Sequence, residues 1–307
     1  MSKNIMIFPG QGSQSIGMGK DFYTNDPLAK KMIDDASNRL DIDFTHLLFE
    51  PNEDLEQTQF TQPAILLISL VSYRLFEREV HKKPLYALGH SLGEFSALAS
   101  VGALDFLDAL ELVHKRGAFM QKACANIDAG MMALLGLSDE KTHEIITAQQ
   151  KLGKQVWAAN YNCDGQIVIA GAKKDLLTLE DTFKQAGAKR ALVLNMSVAS
   201  HCPLLQSVQE PLMEYLEQYL RNSFQAPVIS NVSAKAYDSK KEALELLANQ
   251  LVMPVKYKQS ILSVDDEADR FIEFGGKVLQ GLNKRLAKKP TLSIVDMASL
   301  EQVLLSL

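Results

Sequence analysis

The stretch LYALGHSLGEFSALAS, residues 85–100, decides the fold predicted for this chain. Its apolar start is typical of a short buried strand, and EFSALAS has the composition of a helix. Between them, glycines on both sides of Ser91 permit a sharp, strained turn that exposes the serine hydroxyl above the end of a sheet. The N–H groups at the start of the helix face the same place. G-x-S-x-G in this context predicts a nucleophilic serine, and the alternative is a glycine-rich turn with an incidental serine.

Outward from this turn, short apolar runs alternate with amphipathic stretches, which predicts a large α/β domain with a parallel sheet core. Pro63 is placed in the first turn of one predicted helix, and Asp105 is the predicted N-cap of another. The predicted strands are 5–8, 85–88, 227–232 and 270–274, and the predicted helices are 28–40, 61–80, 105–124, 204–220 and 240–252.

Residues 126–196 show a different order of elements: strand, helix, strand, strand, helix, strand. This order is ferredoxin-like. We therefore expect a small ferredoxin-like α+β subdomain at 126–196, inserted into a large α/β-hydrolase-like domain formed by 1–125 and 197–307. The predicted strands are 131–137, 155–160, 166–171 and 190–195, and the predicted helices are 139–151 and 173–187.

Composition excludes several classes of protein. The 307 residues are 47% hydrophobic and 22% charged, as in a globular chain, and the net charge of −5 argues against a general nucleic-acid or membrane-surface binder. No apolar run approaches the ~20 residues of a membrane span, and the N-terminus does not resemble a signal peptide. The three cysteines are widely spaced and fit neither a disulfide framework nor a zinc site. We expect a cytoplasmic monomer without a metal.

A nucleophilic serine needs a base, and six histidines are available. His81, His114 and His143 have charged neighbours and are predicted to face solvent. His90 adjoins the serine in a tight turn and is predicted to support that turn. His201 follows a predicted strand in the loop 197–203, where catalytic groups commonly lie, and is the candidate base.

The loop Pro9-Gly-Gln-Gly-Ser-Gln14 follows the first predicted strand. It matches neither a P-loop nor the G-x-G-x-x-G pattern. One interpretation is a tight loop whose main-chain N–H at Gln11, together with that of Leu92, forms an oxyanion hole. The other is an ordinary strand–helix turn.

Arg116 lies on the apolar stripe of the predicted helix 105–124. A guanidinium there is costly unless it is paired, and the neighbouring positions on its face carry no carboxylate. Its partner is a distant Asp or Glu, or a ligand carboxylate held by two hydrogen bonds; alternatively, the side chain extends to solvent.

Taken together, the motifs resemble one family, the malonyl-CoA:acyl carrier protein transacylases of bacterial type II fatty-acid synthesis. The resemblance extends over essentially the whole chain. The motifs, in chain order, are PGQGSQ at 9–14, GHSLGE at 89–94, R-G-x-F-M-Q at 116–121, N-x-N at 160–162, S-H-C at 200–202 and GGKVLQGLNKR at 275–285.

The resemblance implies a role for each matching residue. Ser91 is the nucleophile, His201 its base, and Arg116 the residue that binds the malonyl carboxylate. Gln11 and Leu92 form the oxyanion hole, and the histidine is oriented by a main-chain carbonyl near Gln250 instead of an aspartate. Asn160 and Gln250 match polar pocket residues. Two segments depart from the family pattern: Gly275-Gly276-Lys277 is one residue shorter than G-P-G-K, and Lys256-Tyr257 stand where Gln-Trp is usual.

The expected activity is transfer of a malonyl group from malonyl-CoA to the phosphopantetheine thiol of acyl carrier protein through a malonyl-serine ester, without a resident cofactor. A serine hydrolase would share Ser91 and His201 but use water as the acceptor. A non-catalytic acyl-binding or carrier-binding module would need only the pocket.

A carrier protein of this pathway is acidic, so docking on a chain of net charge −5 requires a local basic patch. Two segments are candidates: Lys189-Arg190, and the group Lys284, Arg285, Lys288 and Lys289. The second group would share one side of a helix, and the alternative is a solvated helix face with cations near its end.

Overall fold

In the computed structural model the described residues are 3–194, 196 and 198–307. Asn195, the last residue of the predicted strand 190–195, and Ser197, the first residue of the second predicted part of the large domain, lie outside them. The strands are β1 (Asn4–Phe8), β2 (Tyr86–Gly89), β3 (Ala129–Leu135), β4 (Val156–Cys163), β5 (Gln166–Ala172), β6 (Arg190–Val193), β7 (Val228–Ile229), β8 (Ala236–Tyr237), β9 (Arg270–Phe274) and β10 (Thr291–Ile294).

Helices connect most of the strands of both sheets. The α-helices are α1 (Lys20–Asn25), α2 (Pro27–Leu40), α3 (Phe44–Phe49), α4 (Thr58–Val80), α5 (Gly93–Ser100), α6 (Phe106–Cys124), α7 (Asp139–Lys151), α8 (Lys173–Gln185), α9 (Gln209–Tyr219), α10 (Lys240–Gln250), α11 (Tyr257–Val264), α12 (Val278–Asn283) and α13 (Met297–Leu305). Short 3₁₀ helices lie at Asp54–Glu56, Pro203–Val208 and Asp265–Glu267.

The main sheet has six strands in the order β10-β9-β1-β2-β7-β8, and its neighbours are parallel except for β7 and β8. Every residue of β1 is buried, as expected for a parallel strand covered on both faces. Phe8 pairs with Gly89 at the ends of β1 and β2, so the loops that follow leave the same edge side by side. The predicted α/β fold with a parallel core is confirmed, although β8 and β10 were not predicted.

Helix α4 begins at Thr58, three residues before its predicted start, so Pro63 lies inside the helix and not in its first turn. A proline there leaves the carbonyl four residues earlier without its helical N–H partner. The imidazole Nδ1 of His114 lies 2.8 Å from this carbonyl, Gln59 O, and supplies the missing hydrogen bond. His114 is half-buried, so its predicted surface position holds only in part, and its ring also repairs the helix interrupted by Pro63.

The small sheet is antiparallel and has the strand order β4-β5-β3-β6, the ferredoxin-like order in which the first and third of four strands lie in the centre. The α+β subdomain is thus confirmed as a fold. Its strands lie between Ala129 and Val193, inside the predicted segment 126–196, whose ends stay a prediction. We call 126–196 the inserted lobe and the rest of the chain the main lobe.

Contacts around α11 help to join the lobes. Val255, just before α11, forms a parallel bridge with Asn160 of β4, and the Tyr161 N–H donates to its carbonyl at 2.9 Å. Lys258 of α11 then forms ion pairs with Asp139 and Asp164 of the inserted lobe. The main chain of the main lobe thereby extends the sheet of the inserted lobe by one bridge.

The basic segment 284–289 does not form the predicted helix, because α12 ends at Asn283. Asp265 accepts hydrogen bonds from the main-chain N–H groups of Lys288 and Lys289, and these bonds hold the chain in turns before Pro290. The four basic side chains therefore do not share one helical face, and the spacing predicted for a docking helix is wrong.

Candidate active site

The turn after β2 has the strained geometry predicted for a nucleophile. Ser91 has φ 53°, in the left-handed region that non-glycine residues seldom occupy. The glycines allow close packing: a Cβ added to Gly93 would lie 2.0 Å from the carbonyl oxygen of Phe8, and one added to Gly89 would lie 2.0 Å from Gly93 itself. The tight turn places the serine hydroxyl above the edge of the sheet and the start of α5 directly behind it.

Asn231, in the loop after β7, braces this turn from the neighbouring strand. Its side-chain oxygen accepts a hydrogen bond from the Ser91 N–H at 2.7 Å, and its amide nitrogen donates to the Gly89 carbonyl at 2.6 Å. Because the side chain is buried, these bonds are made without competition from water. The strain at Ser91 is therefore held by side-chain bonds as well as by glycine packing.

His201 lies within hydrogen-bond distance of the nucleophile. Its Nε2 is 2.7 Å from Ser91 Oγ, and its Nδ1 is 2.7 Å from the main-chain carbonyl of Gln250. This carbonyl ends α10, so the negative end of a helix dipole faces the imidazole and favours its protonated form during reaction. Burial, with the Arg116 charge, lowers the pKa of His201 to about 3, so the resting histidine is neutral and can accept the serine proton.

Arg116 is buried in the same site with 1% of its surface exposed. Its guanidinium donates to the side-chain oxygens of Gln62 at 2.8 Å and Gln250 at 3.0 Å, and lies 3.4 Å from Ser91 Oγ. Its Nε has no partner, and within the described chain no carboxylate hydrogen-bonds to it. Burial lowers the pKa of Arg116 only to about 10, so a cation stands beside the nucleophile with neutral partners.

These groups open into a cavity of about 180 Å³ between the lobes. Gln11, Leu92 and Asn160 line it, and the Asn160 side-chain oxygen is buried without a partner among the described residues; the roles predicted for Gln11 and Leu92 in an oxyanion hole stay predictions. Gln250 does not line the cavity and lies fully buried behind Arg116. Its predicted place on the pocket wall is therefore corrected to a supporting position.

His90 lines the pocket as well as supporting the turn. Its Nε2 is 2.8 Å from the side-chain oxygen of Asn162, and its ring packs on Tyr257 at 5.6 Å. Tyr257 is one of the residues that depart from the family pattern. Its hydroxyl donates to Asn283 at 2.9 Å, so this phenol is part of the support beneath His90.

The structure brings the two predicted basic segments toward the same edge of the cleft. Arg190 pairs with Leu135, and Leu135 pairs with Gln166 on the next strand. Arg285 of the main lobe contacts the end of β5, since its guanidinium donates to the Gln166 side chain at 3.3 Å and to the Asp164 carbonyl at 2.6 Å. Lys288 forms an ion pair with Asp266. No ion pair engages Lys189, Arg190, Lys284 or Lys289 within the described residues.

Four site residues received no role from the sequence: Gln62, Glu94, Asn162 and Asn231. A weak signal existed for two of them. Glu94 is a charge in the otherwise apolar EFSALAS helix, and Asn162 is the second asparagine of N-x-N. Gln62 contacts Arg116 and Asn231 contacts Ser91, and in each pair the two residues are far apart in the sequence.

Among the described residues, none of the helices combines the length and the apolar composition that a membrane span requires.

Known proteins resemble this chain over nearly its whole length. Residues 5–289 match the family model of the acyl transferase domain. A malonyl CoA-acyl carrier protein transacylase from Bacillus subtilis is 40% identical over 305 residues, covering 98% of this chain and 96% of that protein.

Two solved structures extend the likeness to the fold. The crystal structure of a malonyl-CoA:acyl carrier protein transacylase from Helicobacter pylori is 47% identical, with a TM-score of 0.96, and the match covers 100% of this chain and 98% of that one. A malonyl-transacylase solved in complex with its type II PKS acyl-carrier protein is 36% identical, with a TM-score of 0.94 and complete coverage of both chains. This chain, with its serine, histidine and buried arginine in one pocket, belongs to the acyl transferase domain family.

Proposed function

We propose that this protein transfers a malonyl group from malonyl-CoA to the phosphopantetheine thiol of an acyl carrier protein, by way of a malonyl ester on Ser91, in fatty-acid synthesis. The observation that carries the proposal is the buried Arg116 guanidinium, 3.4 Å from Ser91 Oγ, with only neutral hydrogen-bond partners. A malonyl thioester has its carboxylate one methylene from the carbon that Ser91 would attack. That carboxylate matches the planar donor set of an arginine.

In the first half of the reaction, His201 accepts the Ser91 proton through Nε2 while Oγ attacks the thioester carbonyl. The main-chain N–H groups of Gln11 and Leu92 stabilise the oxyanion that forms. The Ser91 N–H is not available for this purpose because it donates to Asn231. The intermediate collapses to the malonyl ester as the thiol of coenzyme A leaves with the proton from His201.

In the second half, the thiol of phosphopantetheine takes the place of coenzyme A. His201 removes the thiol proton, the sulfur attacks the malonyl ester, and Ser91 leaves with that proton. Arg116 holds the carboxylate through both halves. Two features support transfer over hydrolysis: the Arg116 site for an acid-bearing acyl group, and the relatives, which are named as transacylases.

For the carrier protein we propose docking at the edge of the cleft toward which both basic segments lie. A relative has been solved in complex with its acyl-carrier protein, which supports an encounter of this kind. Lys189, Arg190 and Lys284 are exposed, whereas Lys289 is half-buried and Arg285 and Lys288 are already engaged by protein groups. Lys189, Arg190 and Lys284 therefore form the proposed docking patch.

The chemistry above uses only side chains and main-chain groups of this protein, and we propose that it needs no resident cofactor. We also propose that the enzyme acts as a monomer in the cytoplasm, since the serine, the base and the arginine belong to one chain. Its substrates are then malonyl-CoA and the carrier protein, with no nucleic acid and no membrane involved.

Intact mass measurement tests the proposed function. Wild-type protein mixed with malonyl-CoA should gain one malonyl group and lose it when holo carrier protein is added. Continuous turnover without an acceptor would indicate a hydrolase, and an unchanged mass would indicate a binding module; either result contradicts the proposal. Acetyl-CoA serves as the matched substrate without a carboxylate.

A further inference from the structure

A second buried charge lies beside the site and has no part in the mechanism above. Glu94 is on the first turn of α5 and is completely buried. Its carboxylate accepts three hydrogen bonds from three other segments: from Gln250 Nε2 at 2.7 Å, from the Asn231 N–H at 3.1 Å and from the Tyr237 hydroxyl at 3.0 Å. Burial raises the pKa of Glu94 to about 7, so the three donors and the nearby Arg116 charge offset only part of the cost of ionising it.

Gln250 connects this carboxylate to the reacting groups. Its amide nitrogen donates to Glu94 and, at 3.1 Å, to the Ser91 carbonyl, while its amide oxygen accepts from Arg116 at 3.0 Å. Its main-chain carbonyl separately orients His201. One glutamine thus contacts the nucleophile, the base and the carboxylate-binding cation.

The direction of the Gln250 amide is set at both ends. A half-turn of the amide would bring its nitrogen against the Arg116 guanidinium and its oxygen against the Glu94 carboxylate. Both contacts would be repulsive, and buried polar groups left unpaired are costly. Glu94 fixes one end, and the guanidinium of Arg116 is thereby held against a fixed oxygen.

We propose that Glu94 is a positioning residue: through the Gln250 amide, it holds Arg116 in the orientation that accepts a malonyl carboxylate. This inference rests on the proposed function and explains why the enzyme would prefer a malonyl group to an acetyl group. The interposed amide has a physical advantage over a direct ion pair. A carboxylate hydrogen-bonded to Arg116 would compete with the substrate, whereas a neutral amide transmits orientation and leaves the cation free for the malonyl group.

The test compares two variants of Glu94 by the ratio of kcat/KM for malonyl-CoA to that for acetyl-CoA. Glu94→Met retains a long side chain but removes the acceptor, and we expect the ratio to fall about 10- to 100-fold. Glu94→Gln can keep its oxygen toward Gln250 and turn its nitrogen toward the Tyr237 hydroxyl, so the ratio should stay within about threefold of wild type. Tyr237→Phe removes a hydrogen bond from the other carboxylate oxygen and is the control, with lower thermal stability and an unchanged ratio.

An unchanged ratio in Glu94→Met overturns the proposal, and so does an equal loss in Glu94→Met and Glu94→Gln, which would make charge and not orientation the cause. The double variant Glu94→Gln/Gln250→Glu gives a second test that does not depend on whether Glu94→Met folds. It keeps the hydrogen bond between positions 94 and 250 but places the carboxylate against Arg116, and the ratio should fall at least tenfold; a retained ratio contradicts the proposal.

A wild-type protein that is acylated equally by both substrates would overturn the proposed function itself, whereas selective wild-type acylation with an unchanged Glu94→Met ratio would overturn only this inference.

Discussion

Arg116 and Arg285 are both arginines that bind groups from other segments of the chain, but one is buried and the other is exposed. Arg116 is buried, holds two glutamine side chains and faces the nucleophile. Arg285 is exposed and donates across the cleft to the Asp164 carbonyl and the Gln166 side chain. Because a charge in a buried site is poorly screened, a change at Arg116 should affect one substrate strongly, whereas a change at Arg285 should be weak and unselective. The difference in burial therefore distinguishes Arg116, which we propose binds the substrate carboxylate, from Arg285, which links the two lobes.

The largest expected effect is at the nucleophile and its base. Ser91→Ala should abolish formation of the acyl-enzyme, and His201→Ala should slow it about 10²- to 10⁴-fold, the usual range for loss of a positioned base. Intact mass and stopped-flow acylation by malonyl-CoA measure both. Ser96→Ala is the matched control, since Ser96 is a buried serine on the following helix whose hydroxyl has no partner among the described residues. Label on the Ser91→Ala protein would refute the assignment of the nucleophile.

Changes at the two arginines test the comparison directly. Arg116→Ala should raise the activation free energy for malonyl transfer by about 2–5 kcal/mol, because a charge-assisted pair is lost from a desolvated pocket. The same variant should change acetyl transfer little. Arg285→Ala should affect both substrates equally and by less than about tenfold. The measurement is kcat/KM for acylation by malonyl-CoA and acetyl-CoA. Equal losses for both substrates in Arg116→Ala would mean that Arg116 is structural.

Burial of His201 also makes the stability of the fold depend on pH. Its folded pKa is about 3 and its ordinary value is 6.5, so the unfolded chain binds the proton first as pH falls. Relative to His201→Ala, the wild-type protein should lose stability below about pH 6.5, by at most about 1.4 kcal/mol for each pH unit down to about 3. Urea unfolding of both proteins from pH 7.5 to 4.5 measures this difference. Parallel stability curves would show that His201 is not buried as a neutral base.

The smallest expected effect is at the proposed docking patch. Reversal of charge in Arg190→Glu/Lys284→Glu should raise the apparent KM for carrier protein by up to about tenfold at low salt, and added salt should remove the difference. Acylation by malonyl-CoA alone should be unchanged. Lys82→Glu/Lys83→Glu makes the same change in charge just before β2, at the amino edge of the sheet, and should leave carrier kinetics unaltered. Equal effects of the two double variants would exclude the patch as a specific docking site.

Some of the fold and of the site could be predicted from the sequence because the signals are local. The glycines around Ser91 fix a turn within five residues, and the period of apolar residues predicts α6 with Asp105 as its cap. The order of strands and helices in the inserted lobe predicts its topology. The absence of a carboxylate on the helix face of Arg116 predicts a partner from elsewhere in the fold, but the partners in the structure are the neutral side chains of Gln62 and Gln250 and not the distant Asp or Glu considered.

Other features depended on contacts between residues that are far apart in the chain. Pro63 is tolerated inside α4 because His114, 55 residues from Gln59, supplies a hydrogen bond to the freed carbonyl. The segment 284–289 turns because Asp265 binds its main-chain N–H groups. No periodicity or motif encodes such pairings, so the predicted docking helix was wrong and the hydrogen bond of His114 to Gln59 was not predicted.

The sequence by itself determined the class of fold, the strained serine and the need for a buried arginine to find a partner, since each follows from backbone sterics or from the cost of desolvating a charge. Only the tertiary structure decided what surrounds that charge. It placed Gln250 between Glu94 and Arg116, which are separated by 22 positions along the chain and joined through a residue more than 130 positions away from Arg116. Hydrogen bonds of this kind depend on distances of about 3 Å and on direction, and these are set by packing and not by the local pattern of residues.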